Sequence, residues 1–224
     1  LLAHHYTEAN LIEQAIPYWQ QAGQRASQRS AYVEAINHVT KGLELLKPLP
    51  GTPERAQKEL ILQTTFGHVL TATKGWADPG VGAAYARSLA LCQHLGDSSQ
   101  LSQVLFGLWA FYVEVPQFQT AHELGERLLS LAQKTHDSLL LAEAHFTLGF
   151  TLFFRGEIAS ARNHLQQGIA PHVPQQGRSC VALYGFAPKV PCRSIMAFAL
   201  WLLGYPDQAL KSSKEALALA QEIS

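Results

Sequence analysis

Ten histidines, three cysteines and a short glycine run are the groups in this 224-residue chain with the means to do chemistry. Imidazoles bind zinc when two or more converge from one helix face or from neighbouring elements. No HExxH pattern occurs, and the adjacent His4 and His5 point to different sides of a helix. His122 with Glu126, and His164 with His145 of a neighbouring hairpin, are the pairs that folding could bring together. Cys180 and Cys192 flank a proline-rich stretch without a sequence-local base that would activate a thiol, and Cys92 stands apart. Gly80-Val81-Gly82 opens like a dinucleotide-binding fingerprint, but Tyr85 stands where the third glycine is needed and no strand precedes it. A GxxxxGK[ST] phosphate loop is absent. The residues therefore predict no catalytic centre, no cofactor and no metal site, so this chain is expected not to be an enzyme.

Charge narrows the partners. Lys and Arg number 17 and so do Asp and Glu, and charged residues make up only 15% of the chain, against about 25% in a usual globular protein. Without a basic excess, a nucleic acid would find no counterion-releasing surface, so no nucleic-acid partner is expected. The longest near-apolar run, Ile195 to Gly204, covers about half a bilayer, which predicts no membrane span or membrane partner. Cysteines without CxxC pairing fit a reducing, cytoplasmic setting. The chain opens on Leu1 with neither Met nor a secretory n-region, and is read as a piece of a longer protein.

What could position any site is a repeat. A shift of 40 places Leu91-Cys92-Gln93 and Asp97 on Leu131-Ala132-Gln133 and Asp137, and Ala121 on Ala161. A further shift of 48 places Gly156 on Gly204 and Ala161 on Ala209, and the two shifts together (40 and 48, making 88) carry Leu131-Ala132-Gln133 onto Leu219-Ala220-Gln221. Such a period marks a helical-repeat architecture. Within each unit, apolar residues recur at three and four, the spacing of a helix with a buried face. Turn signals fall between helices: Thr52-Pro53, Trp76-Ala77-Asp78-Pro79-Gly80, Pro116, Gly156 and Gly204-Tyr205-Pro206. Pro17, inside a helical pattern, is expected to kink or break it. Leu148, Gly149, Leu152, Ala161, Leu165 and Gly168 match the tetratricopeptide signature, in which Gly149 and Ala161 let two helices approach closely. The predicted fold is all-α, a right-handed helical-hairpin solenoid of tetratricopeptide type. Residues 1–224 are read as one array with hairpins at about 1–28, 30–75, 76–115, 116–156 and 157–224, the last carrying an inserted loop at 171–193.

In such a solenoid the first helix of each hairpin lines the concave face. Counting from the motif places Phe146, Phe150, Phe153 and Phe154 there, with Phe106, Ala110 and Val113 from the preceding unit and Phe198 and Trp201 from the last. Aromatic side chains give large contact area at low entropic cost, so the expected partner is a protein or peptide, apolar rather than acidic. Equally open at this point, the rings pack on one another or on terminal repeats. A carboxylate clamp is disfavoured because the chain holds only Asn10, Asn37 and Asn163 for its asparagines. Exposed ends of the array could support self-association.

Several strings go beyond a generic repeat. Leu1-Leu2-Ala3-His4-His5-Tyr6-Thr7-Glu8-Ala9, Ala15-Ile16-Pro17-Tyr18-Trp19-Gln20-Gln21-Ala22-Gly23, Lys41-Gly42-Leu43-Glu44-Leu45-Leu46 and Leu202-Leu203-Gly204-Tyr205-Pro206-Asp207-Gln208-Ala209-Leu210 resemble the region that follows the ATPase module in bacterial multidomain adenylate or guanylate cyclase-like proteins. The resemblance implies a regulatory, partner-binding region that relays signals to the parent's own domains; no cyclase or ATPase residue can be carried onto this chain. A small-ligand sensor with a closed apolar pocket is the alternative.

Overall fold

In a computed structural model of the chain, residues 1–96, 99–170 and 188–223 are described, and among them lie eleven α-helices and no strand. They are α1 (Leu2–Glu8), α2 (Ile12–Gln28), α3 (Tyr32–Leu46), α4 (Pro53–Lys74), α5 (Pro79–Leu95), α6 (Leu101–Glu114), α7 (Phe118–Thr135), α8 (Ser138–Phe154), α9 (Ile158–Ile169), α10 (Lys189–Leu202) and α11 (Pro206–Ile223). The all-helical hairpin fold is as the sequence predicts. Two compact units form, Leu1–Val115 and Pro116–Ser224.

Local chemistry sets the helix ends. The Thr52 hydroxyl accepts from the Arg55 N–H at 3.2 Å with Pro53 at the first helical position, and the Asp78 carboxylate accepts from the Gly80 N–H at 2.8 Å ahead of α5. Asp137 caps α8 by accepting from the Leu139 and Leu140 N–H groups. Each supplies an acceptor to a first-turn donor that no helix carbonyl can reach. Gly156 (φ 83°) and Gly204 (φ 85°) take left-handed conformations after α8 and α10, which a side chain would strain.

In the first unit each helix packs on its sequence neighbour, and α4 also touches α2 and α6. The second unit repeats the scheme, with α8 touching α10 as well as α7 and α9. First helices thus run side by side in each unit, as stacked hairpins require. Ile16, Val39, Leu46 and Leu62 form one core cluster of the first unit and Ala56, Leu60, Leu91, Cys92 and Val104 another. Close approach is bought with glycine at a few points: a Cβ on Gly149 would stand 2.6 Å from Leu165 Cγ, joining α8 to α9. Glu59 of α4 is nearly buried but fully engaged, accepting from Arg87 Nε at 2.6 Å, Arg87 Nη2 at 3.0 Å and Arg55 Nη1 at 3.1 Å. In the second unit Arg193 pairs with Glu215, and the Ser212 hydroxyl donates to the Arg193 carbonyl, fastening α11 to α10.

Two local expectations change. Helix α2 runs through Pro17 unbroken. Only one N–H is missing there, and Ile16 and Trp19 on either side are buried, so packing outweighs the lost hydrogen bond. The stretch expected as loop to residue 193 is helical from Lys189, because Pro191 falls in the first turn of α10, where an N–H would have no helix partner. Residues 171–187 of that loop, with Cys180, lie outside the described residues.

Candidate functional site

The groups that invited catalytic readings are placed as packing residues. Gly82 faces the Phe111 ring, whose Cζ would lie 2.5 Å from an added Cβ, so the glycine serves helix contact. Tyr85, in the place of a fingerprint's third glycine, fills the gap between Gly67 and Gly107: Cβ atoms there would stand 2.9 Å and 2.4 Å from its ring. Burial pushes its phenol up to about 12. His4 and His38 lie against Trp19 with ring centroids 4.6 Å and 5.4 Å away, and the Trp19 indole N–H donates to Thr7. Cys192 is fully buried against Gly168, and burial pushes its thiol up to about 12, which keeps it from acting as a thiolate at neutral pH. Among the described residues, no group of three or more His, Cys, Asp or Glu is placed to hold a metal ion.

The histidine pairs do meet. His122 Nε2 lies 3.6 Å from Glu126, and His145 Nδ1 lies 3.1 Å from His164 Nδ1, joining α8 to α9 within one hairpin. Burial, with a smaller contribution from His164, lowers His145 to about 4. His164 is lowered too, by burial first and then by His122, with Glu126 opposing. Two facing Nδ1 atoms at this distance share one proton, so neutral rings make the pair and protonation of both breaks it. The unfolded chain takes up this proton near 6.5 and the folded chain near 4, so stability is full above the unfolded value and falls as pH drops between them. His145→Gln is expected to remove about 1 to 2 kcal/mol of acid sensitivity between pH 7 and 4, less than the full shift because solvent screens this partly buried pair. Urea midpoints across that range check this; parallel pH curves for both proteins would refute it.

Sequence reasoning missed Glu143. On α8, it is fully buried, and neither carboxylate oxygen has a hydrogen-bond partner among the described residues. Burial, and secondarily Asp137, pushes its carboxyl up to about 8. A helix apolar on nearly every side was the available signal, since α8 has more than one buried face.

The expected aromatic lining has two parts. In the second unit Phe146, Phe150 and Phe154 form a ladder one turn apart along α8, with centroids 5.7 Å and then 4.7 Å apart. Phe153 lies 5.3 Å from Phe154 and 6.5 Å from Phe198, carrying the ladder onto α10, and Phe118 of α7 stacks on Phe154 at 6.0 Å. Phe146 is buried at the foot. The far end opens to solvent: Phe154 is 50% exposed, Phe198 60% and Trp201 67%, and Leu202, next in sequence on α10, is 62% exposed. Phe118 and Leu202 extend the set named from sequence. In the first unit Phe106 touches Trp109 at 5.2 Å and Trp76 at 6.4 Å, Ala110 is buried, and Val113 is half-buried.

No helix among the described residues is long and apolar enough to cross a membrane. A cleft of about 510 Å³ in the first unit is lined almost wholly by polar side chains, unlike the closed apolar pocket of the sensor alternative.

No protein-family model matches the chain. It is 23% identical over its whole length to an uncharacterised protein of Rhizobium meliloti and spans 22% of that protein's length. Among solved structures, it is similar to the apo form of RapI, with a TM-score of 0.74 and 12% identity over 92% of this chain and 70% of that one. It is also similar to a Rap protein in complex with Competence and Sporulation Factor, with a TM-score of 0.65 and 13% identity over 93% of this chain and 54% of that one. At these identities the likeness is one of fold, a helical-hairpin repeat of the tetratricopeptide type.

Proposed function

We propose that the chain is a non-catalytic protein-docking module whose second unit binds an apolar segment of a partner along the α8–α10 aromatic ladder. The observation that carries this reading is the gradient of the ladder, anchored by buried Phe146 and ending in Phe154, Phe198 and Trp201, each at least half exposed. Large apolar side chains left this open at the end of a packed row of rings are what a docking surface offers. The nearly charge-free ladder favours an apolar helix or extended segment over an acidic one. That a Rap protein of the same fold is seen with Competence and Sporulation Factor supports a protein or peptide partner.

The much longer Rhizobium relative supports a setting within a multidomain chain, where the partner is another domain of the parent. A regulatory role beside cyclase and ATPase modules is the form this takes on the string resemblance above. Phe106 and Val113 are candidates for a separate partner contact of the first unit, where Ala110 is buried.

Fluorescence anisotropy with a labelled amphipathic helix bearing a Leu/Phe face tests the ladder, with an acidic peptide as control. The wild-type chain is expected to bind the apolar probe, and Phe150→Asp/Trp201→Asp to lose at least about tenfold in affinity, since truncated hot spots cost about 2 kcal/mol each. Equal binding by both proteins, or preference for the acidic peptide, would overturn the reading.

A further inference from the structure

A second site, unconnected with the aromatic ladder, lies in the first unit. The cleft of about 510 Å³ spans α2, α4 and the start of α6. Its walls carry four glutamine amides, Gln24, Gln28, Gln100 and Gln103, together with the Ser27 and Thr65 hydroxyls. Among the described residues, no Lys, Arg, Asp or Glu lines it, and Ile61 is its one aliphatic residue. The volume falls within the range of about 300 to 1,000 Å³ typical of small-molecule sites.

The chemistry of the wall selects its ligand. A charged ligand would find no counter-charge and would be desolvated without compensation. A flat aromatic ligand would find only the His68 imidazole to stack on among the described residues. Each glutamine amide offers two donors and an acceptor on neighbouring atoms. Thr65 donates its hydroxyl proton to the Ile61 carbonyl at 2.8 Å, which leaves its oxygen as an acceptor on the wall, while the Thr64 hydroxyl is buried beside Ser88. His68 completes the lining with an imidazole whose proton affinity partial burial lowers. A surface that alternates uncharged donors and acceptors at this density suits a ligand in which each functional group both donates and accepts, as a hydroxyl does.

We propose that this cleft binds an uncharged, hydroxyl-rich small molecule of the size of a di- or trisaccharide.

Isothermal titration of the full chain with sucrose and raffinose tests the assignment, with glucuronate and a capped triglycine as controls. Binding of a neutral saccharide without binding of glucuronate is expected. Gln24→Leu/Gln103→Leu should weaken binding by about tenfold or more, the worth of two neutral hydrogen bonds, while Phe150→Asp/Trp201→Asp leaves it unchanged. If the glutamine variant loses helicity by circular dichroism, Gln28→Leu/Thr65→Val carries the same comparison. Absence of saccharide binding, equal binding of glucuronate, capture of triglycine in place of the sugars, or unchanged affinity in the variants would each overturn it. Failure here with an intact response of the ladder variants would leave the docking function standing.

Discussion

Replacing Glu143 with Met raises the stability of the chain, and the gain grows with pH. Glu143 sits fully buried on α8 with neither carboxylate oxygen paired among the described residues, and burial pushes its carboxyl up to about 8. In the unfolded chain the same group releases its proton near 4.5. Between those values the folded state holds more protons than the unfolded one, so native stability is full below the lower value and falls as pH rises through the upper. A shift of that size corresponds to roughly 5 kcal/mol across the window. Methionine has a similar length and no charge to desolvate, and replacing a buried uncompensated polar group with an apolar one of like shape is neutral or stabilising even before ionisation. Urea unfolding at pH 5 and pH 8.5 should show a small gain for Glu143→Met at the lower pH and a gain larger by about 4 kcal/mol at the higher. A gain independent of pH would mean that the carboxylate is solvated in the folded state.

Gly107→Val should cost about 3 kcal/mol, although on helix propensity alone losing a glycine from the middle of α6 is favourable by up to about 1 kcal/mol. A Cβ at Gly107 would stand 2.4 Å from two atoms of the Tyr85 ring, and the ring has little room to retreat, because it also packs so close to Gly67 on α4 that a Cβ added there would stand 2.9 Å from it. Tyr85→Ala alone should cost about 3 to 5 kcal/mol by leaving that gap empty. In the double variant the valine occupies part of the vacated space, so the total should fall short of the sum by 1 kcal/mol or more. Thermal or urea unfolding of the four proteins measures the coupling. Strict additivity, or stabilisation by Gly107→Val, would show that the ring is not clamped.

Tyr85 also shows how far the sequence could be read. Helix ends were legible because they are local chemistry: Thr52 with Pro53, Asp78 with Pro79, and the left-handed glycines at 156 and 204 all sit between helices as their residue types demand. Prolines were less faithful, since whether one ends a helix depends on its position. Pro17 lies between two buried anchors and Pro191 in a first turn, and neither stops its helix. The repeat was anchored on Gly149, whose counterpart forty residues earlier is Trp109. The alignment that explains packing in the first unit is instead Gly67 on Gly107, also forty apart, with both clasping Tyr85. Of the candidate site, the identities of the rings could be read from helical counting. Their gradient from buried Phe146 to exposed Trp201 could not, because it depends on how α10 lies against α8. Glu143 was invisible for a related reason: a carboxylate in a helical pattern reads as solvent-facing until neighbouring helices are known to enclose it.

The docking function is tested most directly by crosslinking mass spectrometry of partners captured from source cells. The wild-type chain, Phe150→Asp/Trp201→Asp and the cleft variant Gln24→Leu/Gln103→Leu should be compared at equal folded concentration. The ladder variant is expected to lose a partner whose crosslinks on the wild-type chain map to α8 and α10, and the cleft variant to retain it. Equal capture by the wild-type and ladder-variant chains, or crosslinks that avoid α8 and α10, would contradict the assignment.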